Sequence, residues 1–280
     1  MNNILVGIDF EEGSYNALEH ALGIAEKAKL DILCIWVNKH DSSKDKESHD
    51  SILAEMEKRL QDLVSKYQHH LSENKIDYKI REGKVYKEIV AEAKKSKPYM
   101  IMIGTHGSSG FEEFWIGSNA NKIVTASPCP VITIRTGRTV KKGLDVVVMP
   151  LDSSVETRQK APMAGVLAKY FNAEIHVVKV YTTHVKAVRR RVDGYAEQVI
   201  KYYQENEVRC KEVALEVDNL TSDTIKYSNS VDAGLIVIMT EQETKASNLW
   251  LGPYAHQMVN HSPIPVLSLH PKEIMRSLSR

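Results

Sequence analysis

Only three of the 280 residues are cysteine: Cys34, Cys129 and Cys210. They are odd in number, lie far apart and form neither a C-x-x-C pair nor a cysteine–histidine cluster at zinc spacing. That excludes a disulfide scaffold and a structural zinc site and leaves buried free thiols as the expectation. An excess of charge of one sign is also lacking, since 37 Lys and Arg face 36 Asp and Glu, for a net charge of +1. Without a basic face there is no electrostatic case for nucleic acid or an anionic membrane, so the expected ligand is small. No run of about 20 uninterrupted apolar residues is present to span a bilayer. The first residues enter a strand-like run, Ile4-Leu5-Val6-Gly7-Ile8, without the basic region and cleavage site of a secretory signal. A cytoplasmic protein without membrane attachment is the expectation. Apolar residues, by contrast, make up 42% of the chain, enough to build packed cores in one large domain or two ordinary ones.

An internal repeat decides for two. Residues 101–134 align without a gap on residues 236–269, with about a third of the positions identical. The matches include Thr105 with Thr240, Trp115 with Trp250, Gly117 with Gly252, and Ser127-Pro128-x-Pro130-Val131 with Ser262-Pro263-x-Pro265-Val266. Both halves open on an apolar run that ends in aspartate, Asp9 in one and Asp152 in the other, and each leads into a helical pattern. Residues 1–137 are therefore read as the first domain and 144–271 as the second, with a polar, basic linker over 136–143 and a tail over 272–280.

Within the first copy, strand and helix patterns alternate. Strands are expected over 4–9, 31–37, 76–81, 99–103 and 131–134, with helices over about 13–29, 51–71, 85–96 and 118–126 and a loop over 38–50. This rhythm specifies an α/β fold in which a parallel sheet is covered on both faces. Ligands of such sheets sit beyond the carboxyl ends of the strands, where the strand order switches. Asp9 and Gly104 lie at two of those ends; the strand order itself is not contained in periodicity.

The segment with chemistry in it is Gly104-Thr105-His106-Gly107, nine further residues, then Gly117-Ser118. Glycines let backbone N–H groups approach an anion, and Gly117-Ser118 directly precedes a helix whose first N–H groups and dipole favour negative charge. The plainer alternative is a strand terminator and a helix cap. His106 reads equally as a phosphate contact and as a turn residue.

The spacing G-x-x-G, nine residues, G-S resembles the nucleotide-binding signature of the universal stress protein family. The resemblance runs over both halves, through the opening strand ending in aspartate and the closing S-x-P-x-P-V strand. It implies two tandem five-stranded parallel-sheet domains of the adenine-nucleotide α-hydrolase-like, Rossmann-like type. It further implies that Asp9 contacts adenine or ribose, that Val37 borders the base, and that Gly104, Gly107, Gly117 and Ser118 hold ribose and phosphates. Asn119 and Ala120 stand where many ATP-binding members have an apolar residue and then serine or threonine. The implied ligand is ATP, with Mg²⁺ left open, and with one phosphate contact short AMP and ADP stay open too. Pairing of the closing strands holds family dimers together, which implies pairing of the two copies within this chain and leaves a homodimer open. The implied role is a stress-response regulator that contacts an unknown protein partner.

The second copy departs from the signature. Met239 and Gln242 replace the loop glycines, Glu241 and Glu243 add negative charge, and Pro253, with no N–H, replaces the serine. Nucleotide is therefore expected in the first domain only, and the glycines kept there read as functional more than architectural. No S-G-G-x-D-S loop follows the first strand and no H-x-G-H pair occurs, so no catalytic residue is assigned and at most slow ATP hydrolysis is expected. The histidines, including His49 and His69-His70, show no metal spacing and are read as solvated. Arg189-Arg190-Arg191 is read as a solvated loop that could meet an acidic ligand or partner.

Overall fold

The structure, a computed structural model, describes residues 3–39, 46–105, 117–135, 144–240 and 251–271. In the first half, strands β1 (Asn3–Gly7), β2 (Asp31–Asn38), β3 (Ile76–Glu82), β4 (Met100–Gly104) and β5 (Val131–Ile134) alternate with helices α1 (Glu12–Ala28), α2 (Lys46–Tyr67), α3 (Val85–Ser96) and α4 (Ser118–Ala126). The second half repeats the order with β6 (Val146–Leu151), α5 (Ala161–Phe171), β7 (Glu174–Tyr181), α6 (Lys186–Glu205), β8 (Cys210–Glu216), α7 (Leu220–Ser230), β9 (Leu235–Met239), α8 (Pro253–His261) and β10 (Val266–Leu269).

Strand burial explains why the sheet is parallel. Ile4, Leu5 and Val6 are all fully buried, so both faces of β1 are covered, as helical crossovers require. The strand order is β3-β2-β1-β4-β5 in one half and β8-β7-β6-β9-β10 in the other, each parallel throughout. The order reverses between β1 and β4, and again between β6 and β9, which are the positions where open α/β sheets hold ligands. The halves join through β5 and β10, which pair antiparallel with Thr133 opposite Val266 and Val131 opposite Ser268. The two apolar edges thus close on each other to give one ten-stranded sheet. Helices α1, α2, α5 and α6 cover one face and α3, α4, α7 and α8 the other, in two apolar layers that run across both halves.

Two elements differ from the sequence reading. Helix α2 begins at Lys46, inside the stretch read as loop, and ends at Tyr67 before a 3-10 turn over Gln68–His70. The arginine run lies in the first turns of α6 rather than in a loop, because Val192, Ala196, Val199 and Tyr203 form a buried helical stripe that carries the helix back through it. Arg189 pairs with the Glu216 carboxylate at 2.9 and 2.5 Å and stacks on the Tyr181 ring, so it is already engaged within the second half. Among the described residues no helix is long and apolar enough to cross a membrane.

Candidate functional site

The carboxyl ends of β1, β2 and β4 meet α1 and α4 at the first switch point. Asp9 follows β1, is exposed, and accepts a hydrogen bond from the Glu11 N–H at 3.0 Å. Val37 is buried near the end of β2 in the same apolar layer as Ile35 and Ile103. Beside it, the Gly83 N–H donates to the Asn38 carbonyl at 2.9 Å, with Gly83 at a φ of +139° that only glycine holds without strain. The base of the long loop is closed by the Gly117 N–H, which donates to the Thr105 carbonyl at 2.7 Å. That bond engages the Gly117 donor. The first-turn N–H groups of Ser118 and Asn119 are left, because α-helix geometry gives them no intrahelical acceptor, and among the described residues no side chain caps α4. The Ser118 side chain is exposed at the same end. Five of the sequence-assigned residues (Asp9, Gly104, Gly117, Ser118 and Asn119) therefore share one edge, with Val37 in the layer below. Gly107, His106 and Trp115, like Gln242, Glu241, Glu243 and Trp250 of the second copy, lie outside the described residues.

Gly104 has a packing duty as well. A Cβ built on it would stand 2.6 Å from the backbone carbon of Gly13 and 2.8 Å from its carbonyl oxygen, far inside van der Waals contact. The first turn of α1 rests directly on the end of β4, and only glycine permits that approach. Retention of Gly104 is thus architectural on its own account, which corrects the reading of that one glycine as more functional than architectural.

The second half resolves the same crossing differently. Met239 stands where Gly104 would, and Glu156, in the position of Gly13, belongs to a 3-10 turn over Val155–Arg158 that replaces the first turn of the helix; α5 begins only at Ala161. Asp152 accepts from the Ser154 N–H at 2.8 Å and the Ser154 hydroxyl at 2.5 Å. Lys160, in the position of Ala17, is buried, and its Nζ donates to the Thr157 carbonyl at 2.8 Å and Oγ1 at 3.2 Å. Burial lowers its pKa to about 8, with the Asp152 carboxylate acting the other way. Asp152 is therefore half-buried and doubly engaged by Ser154 in a local turn near the Lys160 cation, whereas Asp9 is exposed. At the head of α8, Pro253 occupies N1 and offers no donor, and Tyr254 stands where Asn119 does, its ring packed on the apolar layer and its phenol pushed well up by burial.

The sequence profile of the universal stress protein family matches residues 1–135 and again 143–270. The chain belongs to the universal stress protein family. A universal stress protein of Methanocaldococcus jannaschii is 27% identical over 137 residues, covering 47% of this chain and 81% of its own. One of Bacillus subtilis is 26% identical over 153 residues, covering 48% of this chain and 99% of its own. The crystal structure of a universal stress protein from Archaeoglobus fulgidus superposes over 97% of this chain and 99% of its own, with a TM-score of 0.79 at 20% identity. At that identity the likeness carries the fold, a tandem of two universal stress protein units.

Sequence reasoning missed two features of these tandem units, Gly13 and Lys160. Each had a signal in the repeat: Gly13 and Gly104 change together to Glu156 and Met239, and Lys160 interrupts an apolar helix position that is alanine in the first copy. His49, read as solvated, bridges Asn38 and Glu82 at 3.4 and 3.3 Å from α2. His69 and His70 stack at 4.1 Å, and among the described residues no three His, Cys, Asp or Glu are placed to hold a metal. Cys34 is buried, and burial pushes its thiol to about 12, an inert state.

Proposed function

We propose that this universal stress protein binds one adenine nucleotide per chain, in the first half, and that occupancy regulates contacts with a protein partner. The observation that carries the reading is the head of α4, uncapped among the described residues. There the Ser118 and Asn119 N–H groups and the exposed Ser118 side chain lie at the same strand edge as the exposed Asp9. Donors without an acceptor at a helix N-terminus suit phosphate, and an exposed carboxylate at the end of β1 suits ribose hydroxyls. ATP is the leading ligand, with ADP or AMP as the alternatives that Asn119 and Ala120 leave open, and Mg²⁺ would be held through the phosphates. In the second half, Pro253, Tyr254 and the engaged Asp152 disfavour the same ligand. A cytoplasmic protein whose own halves form the strand-edge pair, with any homodimer built on another surface, fits this reading.

The test is to purify the chain without added nucleotide, denature it, and identify what is released by chromatography. About one adenine nucleotide per chain supports the proposal. No nucleotide, together with no ATP binding by calorimetry in Mg²⁺, favours a purely structural interaction module, a reading for which the packing duty of Gly104 speaks. ATP turnover above a trace, lost on changing Asp9, would instead make the protein a slow ATPase.

A further inference from the structure

Helix α1 carries Gly23 in its interior, where glycine costs about 1 kcal/mol relative to alanine. Nothing near it demands the loss of a side chain, since a Cβ built there meets no atom within 4 Å. What it faces is space. A cavity of about 810 Å³ runs along the seam between the halves, walled by His20, Gly23 and Lys27 of α1, by Ile132 of β5, and by Phe171 and Gly234 of the second half.

The repeat supplies a control for this cavity too. The residues equivalent to His20, Gly23 and Lys27 are Met163, Val166 and Tyr170 on α5, and the residue equivalent to Gly234 is Tyr99. Tyr170 lies close enough to Tyr99 to add to the upward shift that burial gives the Tyr99 phenol. Bulky side chains therefore stand over one seam-facing strip, while two glycines and a histidine leave the other open. The open one is mostly apolar and has a volume in the range of small-molecule pockets. Its charged wall residues balance, Lys27 and Arg135 against Glu19 and Glu26, so its field favours neither a cation nor an anion. His20 has no hydrogen-bond partner among the described residues, and burial lowers its pKa to about 4, which keeps the ring neutral with one donor and one acceptor to offer.

We infer that this seam cavity is a second ligand site, separate from the nucleotide loop, for an uncharged, predominantly apolar small molecule whose single hydroxyl or carbonyl bonds His20. Because both halves wall it, its ligand bears on how the two halves hold together.

The probe is Nile red, an uncharged apolar dye with a carbonyl acceptor, titrated into the full chain and followed by fluorescence. Saturable binding at one site per chain is expected, weakened at least tenfold by Gly23→Leu, which places a side chain in the cavity on a helix that accepts it. His20→Phe, which keeps the apolar wall but removes the bond, is expected to weaken binding by a smaller factor. Val185→Ser, at an exposed apolar residue elsewhere, should leave it unchanged. Circular dichroism and thermal unfolding confirm that each variant is folded. Absence of saturable binding, as when the chain's own residues fill the space, overturns the inference, and so does binding that survives Gly23→Leu. ATP calorimetry on Gly23→Leu reads the nucleotide site independently.

Discussion

The two halves build the same sheet and cross their first helix over the same strand end, yet they make that crossing with opposite chemistry. In the first half Gly104 and Gly13 touch backbone to backbone, and Asp9 stays exposed above them. In the second, Met239 stands at the strand end, a 3-10 turn replaces the helix start, and the Asp152 N–H and the buried Lys160 Nζ both donate to Thr157 Oγ1. The contrast shows what a strand-edge site needs beyond the fold: a close crossing that leaves room, and polar groups that are not already answering one another.

The strongest way to break this comparison is to place the second half's residue in the first. Gly104→Met forces a side chain into the Gly13 backbone and is expected to destabilise the chain by about 3 kcal/mol or more, read as a lower urea midpoint. A midpoint equal to that of the parent would mean that the crossing is soft and that Gly104 is kept for its ligand alone.

A comparable effect is expected from acid. His20 has its pKa lowered by burial from 6.5 to about 4, so between those pH values the unfolded chain takes up a proton that the folded chain refuses. Stability should therefore fall as pH drops from 6.5 towards 4, by up to about 3 kcal/mol from this group. His20→Met, which installs the residue of the second half, should flatten that limb of the stability profile; an unchanged acid limb would show that His20 titrates normally.

Lys160 sharpens the comparison from the other side. Its folded pKa, about 8, lies below its ordinary 10.5, so the burial cost is fully present below pH 8 and relieved as pH rises to 10.5. Replacing it with an apolar residue of similar length, Lys160→Met, should stabilise the chain at pH 7 by roughly 1–3 kcal/mol, with a gain that shrinks towards pH 10. Thermal melts of the pair at both pH values check this, and a loss of stability at pH 7 would mark the Lys160–Thr157–Asp152 arrangement as net favourable.

The smallest effect should be Ser118→Pro, which gives α4 the head of α8. Proline fits the first helical position, so the melting temperature should hardly move, while loss of one N–H and one hydroxyl should weaken ATP about tenfold by calorimetry. Equal affinity would remove the α4 head from the site.

Much of this was legible in the sequence, and for a physical reason. Apolar periodicity reports which face of an element is buried, and it located the strands and most helices, while the internal repeat gave the two-unit organisation; the S-x-P-x-P-V strands announced a pair of apolar edges in need of partners. Glycine and proline report backbone demands, and so they marked the Gly117-Ser118 helix head and its loss at Pro253. What sequence could not supply is whatever depends on two segments far apart in the chain coming within a few ångströms. That Gly104 answers to Gly13, that the Gly117 N–H is engaged by Thr105 across the long loop, and that Gly23 and Gly234 open one cavity are facts of tertiary approach. Periodicity describes an element's own face; only the packed structure decides what that face meets.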